Sequence, residues 1–232
     1  MKKQLVLFLF LISCFCAQAQ SYKKTDFGVK TTINTVDVEL QFFSNDVVRI
    51  LKSPKDKQFQ KKSFSVIKTP DKIDIQIKQL DNALVLTSKN LEVKLNRQTG
   101  KISFFNLEGK LLLSENENGT EFTACKVSEE NAFNVKQAFQ LTTDEAIYGL
   151  GQHQTGKMNQ RNQCLVLKQR NMFTAIPYYY STNGYGLFWD NTSATTFTDS
   201  LNITSFESEI GNCVDYYAVS YTHLTLPTKR IV

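Results

Sequence analysis

The 232-residue sequence has little of what marks several common protein classes. It contains five cysteines, four prolines, two histidines and one tryptophan, and its longest apolar stretch runs only from Leu5 to Cys16. A membrane-spanning helix needs about 20 apolar residues, so this stretch is too short to be a permanent anchor. The formal net charge is +5, but basic and acidic residues are interleaved, which argues against a nucleic-acid-binding surface.

The first residues instead have the pattern of an export signal. Lys2 and Lys3 precede the apolar stretch, and Ala17-Gln18-Ala19 supplies the small-x-small motif of a cleavage site. We therefore predict a signal peptide over residues 1–19 and a periplasmic or extracellular mature protein. In an alternative interpretation, Leu11-Ile12-Ser13-Cys14 is a lipobox, and lipidation of Cys14 would hold the protein on a membrane surface.

Three cysteines remain after cleavage, namely Cys125, Cys164 and Cys213. Their long, irregular spacings match neither a zinc site nor a disulfide scaffold, and we expect no metal site and no cofactor. At least one thiol must be unpaired in the mature chain. Export permits one disulfide bond, and the sequence does not choose among the three pairings.

The mature chain has the pattern of short β-strands separated by polar turns. Apolar and polar residues alternate over Val38–Phe42 and Ile73–Ile77, as expected for half-buried strands. Residues 91–95 and 102–105 flank a turn that contains Gly100, which predicts a hairpin. No segment resembles a capped amphipathic helix. This pattern predicts an all-β fold, a two-sheet antiparallel sandwich over residues 20–219.

Glycine, asparagine and aromatic residues become dense between Tyr148 and Asn191. Gly149 and Gly151 bracket Leu150, which indicates a bulge in a strand. Asn183, Gly184 and Gly186 indicate a hairpin turn into a strand that ends with Trp189. We expect this tryptophan to be buried in the core rather than to form a sugar platform.

Three motifs in this region occur in an order that carries a family resemblance. Tyr148-Gly149-Leu150-Gly151-Gln152 is followed by Ile176-Pro177-Tyr178-Tyr179-Tyr180-Ser181 and then by Asn183–Asn191, with Val214-Asp215-Tyr216-Tyr217 further on. This order resembles glycoside hydrolase family 31, a family of retaining α-glycosidases that includes α-glucosidases and α-xylosidases. The resemblance covers residues 35–219 and implies the galactose-mutarotase-like sandwich that precedes the catalytic barrel.

The polar segment 153–174 is the candidate functional site. It is rich in asparagine and glutamine, whose amides can hydrogen-bond sugar hydroxyls. In family 31 the corresponding loop reaches over the mouth of the barrel, where an aspartate contacts the substrate. The resemblance places Asn171 at that position, and we predict that Asn171, His153 and Gln169 bind the substrate, an α-glucoside or α-xyloside oligosaccharide.

No catalytic residue is expected in this chain. Retaining glycoside cleavage needs two carboxyl groups about 5 to 5.5 Å apart, and family 31 carries both on its barrel. A (β/α)₈ barrel takes about 250 residues, so we expect it as a downstream partner. We interpret Asp144-Glu145 and Glu129-Glu130 as solvated surface charges. Residues 220–232 depart from the family pattern, and we predict that they are a non-native tail.

Three other functions remain open from the sequence. The chain could be a stand-alone carbohydrate-binding module or a non-enzymatic surface lipoprotein. The third is an aldose mutarotase, whose proton transfer usually needs a histidine with a carboxylate. His153 and His223 are the two histidines of the chain, and His223 lies in the predicted tail.

Overall fold

The computed structural model describes residues 22–55 and 62–220, and these form β-strands joined by turns and loops. No helix in these two ranges is long and apolar enough to cross a membrane. The predicted signal peptide and the Cys14 lipobox lie outside the described residues. So does the predicted tail beyond Ser220, which is the last residue of a strand.

The described residues form 17 strands. In chain order they are β1 (Tyr22–Thr25), β2 (Gly28–Ile33), β3 (Val36–Phe42), β4 (Val47–Pro54), β5 (Gln76–Gln79), β6 (Ala83–Thr87), β7 (Leu91–Asn96), β8 (Ile102–Asn106), β9 (Leu111–Val127), β10 (Glu130–Gln140), β11 (Ile147–Gln152), β12 (Cys164–Leu167), β13 (Thr174–Ser181), β14 (Tyr185–Trp189), β15 (Thr195–Ser200), β16 (Ile203–Gly211) and β17 (Val214–Ser220).

The strands pair into two antiparallel sheets, which confirms the predicted sandwich. The eight-stranded sheet has the order β1-β2-β3-β4-β17-β14-β13-β11, and the nine-stranded sheet has the order β12-β15-β16-β10-β9-β8-β7-β6-β5. Strands β5 to β10 are sequential neighbours, so this half of the nine-stranded sheet is a meander. The last strand, β17, pairs with β4 and β14 in the middle of the eight-stranded sheet.

The core lies between the sheets and follows the alternation in the sequence. Val38, Leu40 and Phe42 of β3 are buried, and the residues between them are more exposed. In the nine-stranded sheet, the alternate residues of β7 are buried in the same way. Trp189 is fully buried, as predicted, and its indole Nε1 donates a hydrogen bond of 2.8 Å to Ser208 Oγ.

The predicted hairpin around Gly100 is confirmed, since β7 pairs with β8 and Gly100 has φ of +75°. The predicted strand Ile73–Ile77 is only partly correct, because pairing begins at Gln76. The partner strand β6 ends at Thr87, opposite Gln76. Ile73 and Ile75 therefore have no ladder partner in β6, although both pack against the core.

Three hairpin turns in the described residues adopt positive φ at two residues that are not glycine. In each of them both central residues have positive φ, the geometry of a type I′ turn that matches the twist of the flanking strands. These pairs are Asn34-Thr35, Ser128-Glu129 and Leu201-Asn202. The turns connect β2 to β3, β9 to β10 and β15 to β16, so they help to fix the register of these three strand pairs.

The interpretation of Glu145 as a surface charge is wrong, although its neighbour Asp144 is exposed. The Glu145 carboxyl group accepts hydrogen bonds from Ser181 Oγ and Tyr185 OH, both at 2.6 Å, and from the Thr142 backbone N–H at 3.0 Å. These contacts join the turn before β11 to β13 and β14. A buried acid is tolerated here because polar donors surround it.

Replacing Glu145 with alanine is expected to lower the free energy of unfolding by roughly 3 kcal/mol. The substitution leaves the buried hydroxyls of Ser181 and Tyr185 without their acceptor, and each such loss costs about 1–3 kcal/mol. Urea denaturation followed by circular dichroism measures the change. Asp144→Ala is the matched control and should stay within about 0.5 kcal/mol of the parent. Equal effects of the two substitutions would contradict the structure.

Stability is expected to fall above pH 10. Burial raises the pKa values of Tyr185 and Tyr216 well above their ordinary value of about 10, and the nearby carboxyl groups of Glu145 and Glu115 add to the shift. Above pH 10 the unfolded chain loses these protons while the folded chain keeps them, so the unfolding free energy decreases as pH rises. Each tyrosine contributes roughly 1.4 kcal/mol per pH unit in this window.

Urea titrations at pH 8, 10 and 11 measure this loss. Tyr216→Phe removes one of these ionisable groups, so its stability should decline less steeply with pH than that of the parent. An identical slope in the two proteins would show that Tyr216 ionises normally in the folded state.

Candidate functional site

The candidate segment 153–174 starts at a bulge in strand β11. The pairing of β11 with β13 shifts register between Gly149 and Gly151, as predicted, and these glycines have φ of +127° and +94°. A Cβ atom on Gly149 would lie 2.6 Å from the Tyr178 carbonyl oxygen, and one on Gly151 would clash with the Thr174 carbonyl oxygen. The bulge therefore requires both glycines and turns the chain out of the sheet.

Within the segment, the chain passes from one sheet to the other. It leaves β11 at the edge of the eight-stranded sheet and then forms β12, which pairs with β15 at the edge of the nine-stranded sheet. It returns to the eight-stranded sheet as β13. The segment thus bridges the two sheets along one side of the sandwich.

Arg161 anchors the segment to the body of the sandwich. Its guanidinium group donates to the buried Asp199 carboxylate at 3.0 Å, to Asn202 Oδ1 at 2.7 Å, and to the backbone carbonyl oxygens of Thr142 and Glu145. The backbone N–H of Asn162 donates to the same Asp199 carboxylate at 2.6 Å. Several charge-assisted bonds thus converge on one turn of the segment.

His153 and Gln169 both bond to the backbone of the segment. His153 is partly buried, and its Nε2 lies 2.8 Å from the Leu150 carbonyl oxygen. Gln169 Nε2 donates to the Phe173 carbonyl oxygen at 3.0 Å, and its Oε1 accepts from the Ala175 N–H at 3.2 Å. These contacts position the segment, and a role of either side chain in substrate binding stays a prediction.

Asn171 lies at the exposed tip of a tight turn. The Phe173 N–H donates to the Arg170 carbonyl oxygen at 3.0 Å, and Met172 has φ of +65°. The Arg170 guanidinium group lies 4.7 Å from the centre of the Phe173 ring and closes the turn from one side. The structure therefore presents the Asn171 side chain to solvent on a turn whose two ends are fixed.

A cleft of about 390 Å³ adjoins this turn. Gln169 and Ala175, on either side of the turn, belong to its lining. The cleft opens between the two sheets and is lined by polar and small apolar groups, which are Leu167, Lys168, Gln169, Ala175, Pro177, Asn191, Thr192, Ser193, Ala194 and Thr195. Such a mixed lining suits a ligand that has both hydroxyl groups and apolar ring faces.

Sequence reasoning missed Arg161 and Asn191. Asn191 shapes the wall of the cleft, because its Oδ1 accepts bonds from the N–H and Oγ of Ser193 and its Nδ2 donates to the Ile210 carbonyl oxygen. The dipeptide Asp190-Asn191 was part of the family motif, but no local pattern marked its role. Arg161 pairs with Asp199, which is 38 residues away, so no spacing in the sequence could indicate the contact.

The cysteines of the described ranges are not bridged to one another, and no metal-holding cluster is found in these ranges. Cys125, Cys164 and Cys213 form no disulfide bond with one another, and Cys164 is exposed rather than buried. No group of three or more histidine, cysteine, aspartate or glutamate side chains in residues 22–55 and 62–220 could hold a metal ion.

Comparison with known proteins agrees with this architecture. Residues 37–197 match the glycosyl hydrolase 31 N-terminal galactose mutarotase-like domain. The curated α-xylosidase of Saccharolobus solfataricus is 27% identical over 197 residues, which are 81% of this chain and 26% of that protein. The chain thus spans about a quarter of the length of this relative.

Solved structures show the same fold. The family 31 α-xylosidase of Xanthomonas citri superposes with a TM-score of 0.72 at 31% identity, over 76% of this chain and 20% of that one. A family 31 α-xylosidase from a soil metagenome, complexed with xylose, gives 0.77 at 20% identity over 87% and 32% of the two chains. Because the family match covers most of the sandwich, the chain belongs to the glycosyl hydrolase 31 N-terminal galactose mutarotase-like domain family.

Proposed function

We propose that this chain serves as the N-terminal domain of an exported α-glycosidase. In this role the sandwich supports a downstream (β/α)₈ barrel, which supplies the catalytic carboxyl groups, and contributes contacts to an α-glucoside or α-xyloside oligosaccharide. Family membership and the α-xylosidase relatives support the reaction class. The greater length of those relatives supports a further domain in the complete enzyme.

The geometry of the turn 170–173 carries the proposal. A sugar-contacting loop needs a polar side chain that is exposed yet held in place, so that binding costs little ordering of the chain. Asn171 meets this requirement, because its turn is closed by a backbone hydrogen bond and by the stacking of Arg170 on Phe173. The neighbouring cleft adds space for part of a glycan beside the turn.

The amide of Asn171 limits what this contact can do. It can donate and accept hydrogen bonds with sugar hydroxyls, but it has no charge with which to stabilise a positively charged transition state. Its contribution should therefore lie in binding and orienting the glycan. Export to the periplasm or the extracellular space is part of the same proposal and is supported by the N-terminal residues 1–19.

In the enzyme expressed from the complete gene, Asn171→Ala is expected to lower kcat/KM for an aryl α-glycoside roughly three- to tenfold, mainly through KM. This is the loss expected for one or two neutral hydrogen bonds. Asn131→Ala, a change at an exposed asparagine of strand β10, is the matched control and should leave kcat/KM unchanged. If both variants keep the parental kcat/KM, Asn171 makes no productive contact.

The 232-residue chain alone is expected not to hydrolyse an aryl α-xyloside or aryl α-glucoside. Four of the five buried carboxyl groups in the described residues are engaged in structural contacts: Glu115 with Lys52, Glu145 with Tyr185, Asp199 with Arg161 and Asp215 with Arg49. Release of nitrophenol, measured with and without the chain, tests this expectation.

Two results would contradict the proposal and favour another function. Turnover by the chain alone would show that the sandwich carries its own catalytic groups. Oligosaccharide binding to the chain alone that Asn171→Ala abolishes, measured by calorimetry, would favour a stand-alone carbohydrate-binding module.

A further inference from the structure

A second, smaller cavity lies between the two sheets, away from the segment 153–174. Its volume is about 200 Å³. Its lining comes from β2 to β4, from the β7–β8 turn and from β9, and it includes Thr99, Gly100, Asn118 and Gly119.

The cavity includes a buried ion pair that joins the two sheets. Lys52 of β4 and Glu115 of β9 are 2.7 Å apart, and their side chains are 4% and 1% exposed. The Lys52 ammonium group also donates to the Gly100 carbonyl oxygen at 3.2 Å and to Thr120 Oγ1 at 3.1 Å. These three bonds use all three N–H groups of the lysine, so it has no donor left for an anion.

Glu115 keeps capacity to accept a further hydrogen bond. Its Oε2 accepts from Lys52 and from the Ile102 N–H at 2.7 Å, and its Oε1 accepts from Tyr216 OH at 2.9 Å. A carboxylate has about four lone-pair positions, and these contacts use three of them. The charge of Glu115 is already balanced by Lys52, so the additional donor should be a neutral hydroxyl group rather than a cation.

The remaining walls of the cavity differ in polarity. Ile33, Val36 and Val38 form an apolar side, while the amides of Asn34, Asn116 and Asn118 are on the polar side. Asn34 Nδ2 donates to the Gln98 carbonyl oxygen at 2.6 Å, which links the β2–β3 turn to the β7–β8 turn. This link across the sheets helps to hold the rim of the cavity in place.

We propose that this cavity binds one neutral sugar ring of monosaccharide size. A cavity of about 150 Å³ accommodates benzene, so about 200 Å³ suits a single substituted six-membered ring and no longer chain. The apolar side fits the C–H face of a pyranose, and the amides with Glu115 fit its hydroxyl edge. A charged ligand would disturb the balanced pair of Lys52 and Glu115.

This site is distinct from the cleft beside Asn171. Lys52, which lines the cavity, pairs with Val214 of β17. Two residues further along β17, Tyr216 pairs with Trp189, which precedes Asn191 of the cleft by two residues. Cavity and cleft therefore open at the same end of the eight-stranded sheet. The cavity lies beside β2 to β4, and the cleft lies beside β13. In the eight-stranded sheet, β17 and β14 lie between β4 and β13. Three strand spacings of about 4.8 Å separate β4 from β13 by roughly 14 Å.

Nuclear magnetic resonance of the amide-labelled 232-residue chain tests the proposal. D-xylose and D-glucose are titrated separately, and the backbone N–H signals of Gly100 and Gly119 report on the cavity. At least one sugar should shift both signals saturably. Thr99→Trp, at an exposed position on the rim, should weaken this binding by about tenfold or more, since the indole fills the entrance.

Two further variants complete the test. Thr143→Trp places the same side chain on an exposed turn at the opposite end of the sandwich and should leave the affinity unchanged. Asn118→Gly removes an amide from the rim, and glycine readily adopts the φ of +58° found at this position. This variant should weaken binding severalfold. The amide spectra of all variants also show whether they remain folded.

The proposal is overturned if neither sugar shifts Gly100 and Gly119, or if Thr99→Trp and Asn118→Gly bind as tightly as the parent. It is also overturned if sodium sulfate produces the same saturable shifts, because the site would then accept anions. Shifts confined to residues 153–174 would refute the cavity site while supporting the sugar-contacting role of Asn171.

Discussion

The hydrogen-bonded ion pair between Lys52 and Glu115 is the contact on which one end of the sandwich depends. Lys52 belongs to the eight-stranded sheet and Glu115 to the nine-stranded sheet, and Tyr216 adds a second bond across the same gap. Two buried charges are costly unless they are paired and their remaining donors and acceptors are satisfied. Here the partners come from four strands and one turn, so the pair forms only when both sheets are assembled.

Elsewhere in the sandwich, a second ion pair holds a loop in place. Arg161 and Asp199 fix the segment 153–174 against the nine-stranded sheet, while the bulge at Gly149 and Gly151 sets its exit from the eight-stranded sheet. Some polar side chains of the segment therefore bond to its own backbone, and others are exposed to solvent. His153 and Gln169 bond to the backbone, although Gln169 is itself exposed, and Asn171 is exposed on a fixed turn. A rigid scaffold that carries a polar loop is a common arrangement for binding sites.

Local patterns in the sequence predicted strands such as β3, β7 and β8, because alternation reports directly which face of a strand is buried. They failed where the outcome depends on a distant partner. The strand at Ile73 starts late because β6 ends at Thr87, and Glu145 is buried because Ser181 and Tyr185 lie next to it in the fold. The type I′ turn at Leu201-Asn202 lacks the glycine that usually marks such a turn, so its geometry follows from the pairing of β15 with β16.

Patterns of neighbouring residues were enough to predict the all-β class, the bulge between Gly149 and Gly151 and the burial of Trp189, and several short motifs in order carried the family resemblance. The tertiary structure alone decided the order of strands in the two sheets and the ion pairs that cross them. It also decided which of the candidate side chains bond to the backbone of the segment. The reason is physical: Lys52 lies 63 residues from Glu115 and Arg161 lies 38 residues from Asp199, and pairing over such separations is set by packing of the whole sandwich.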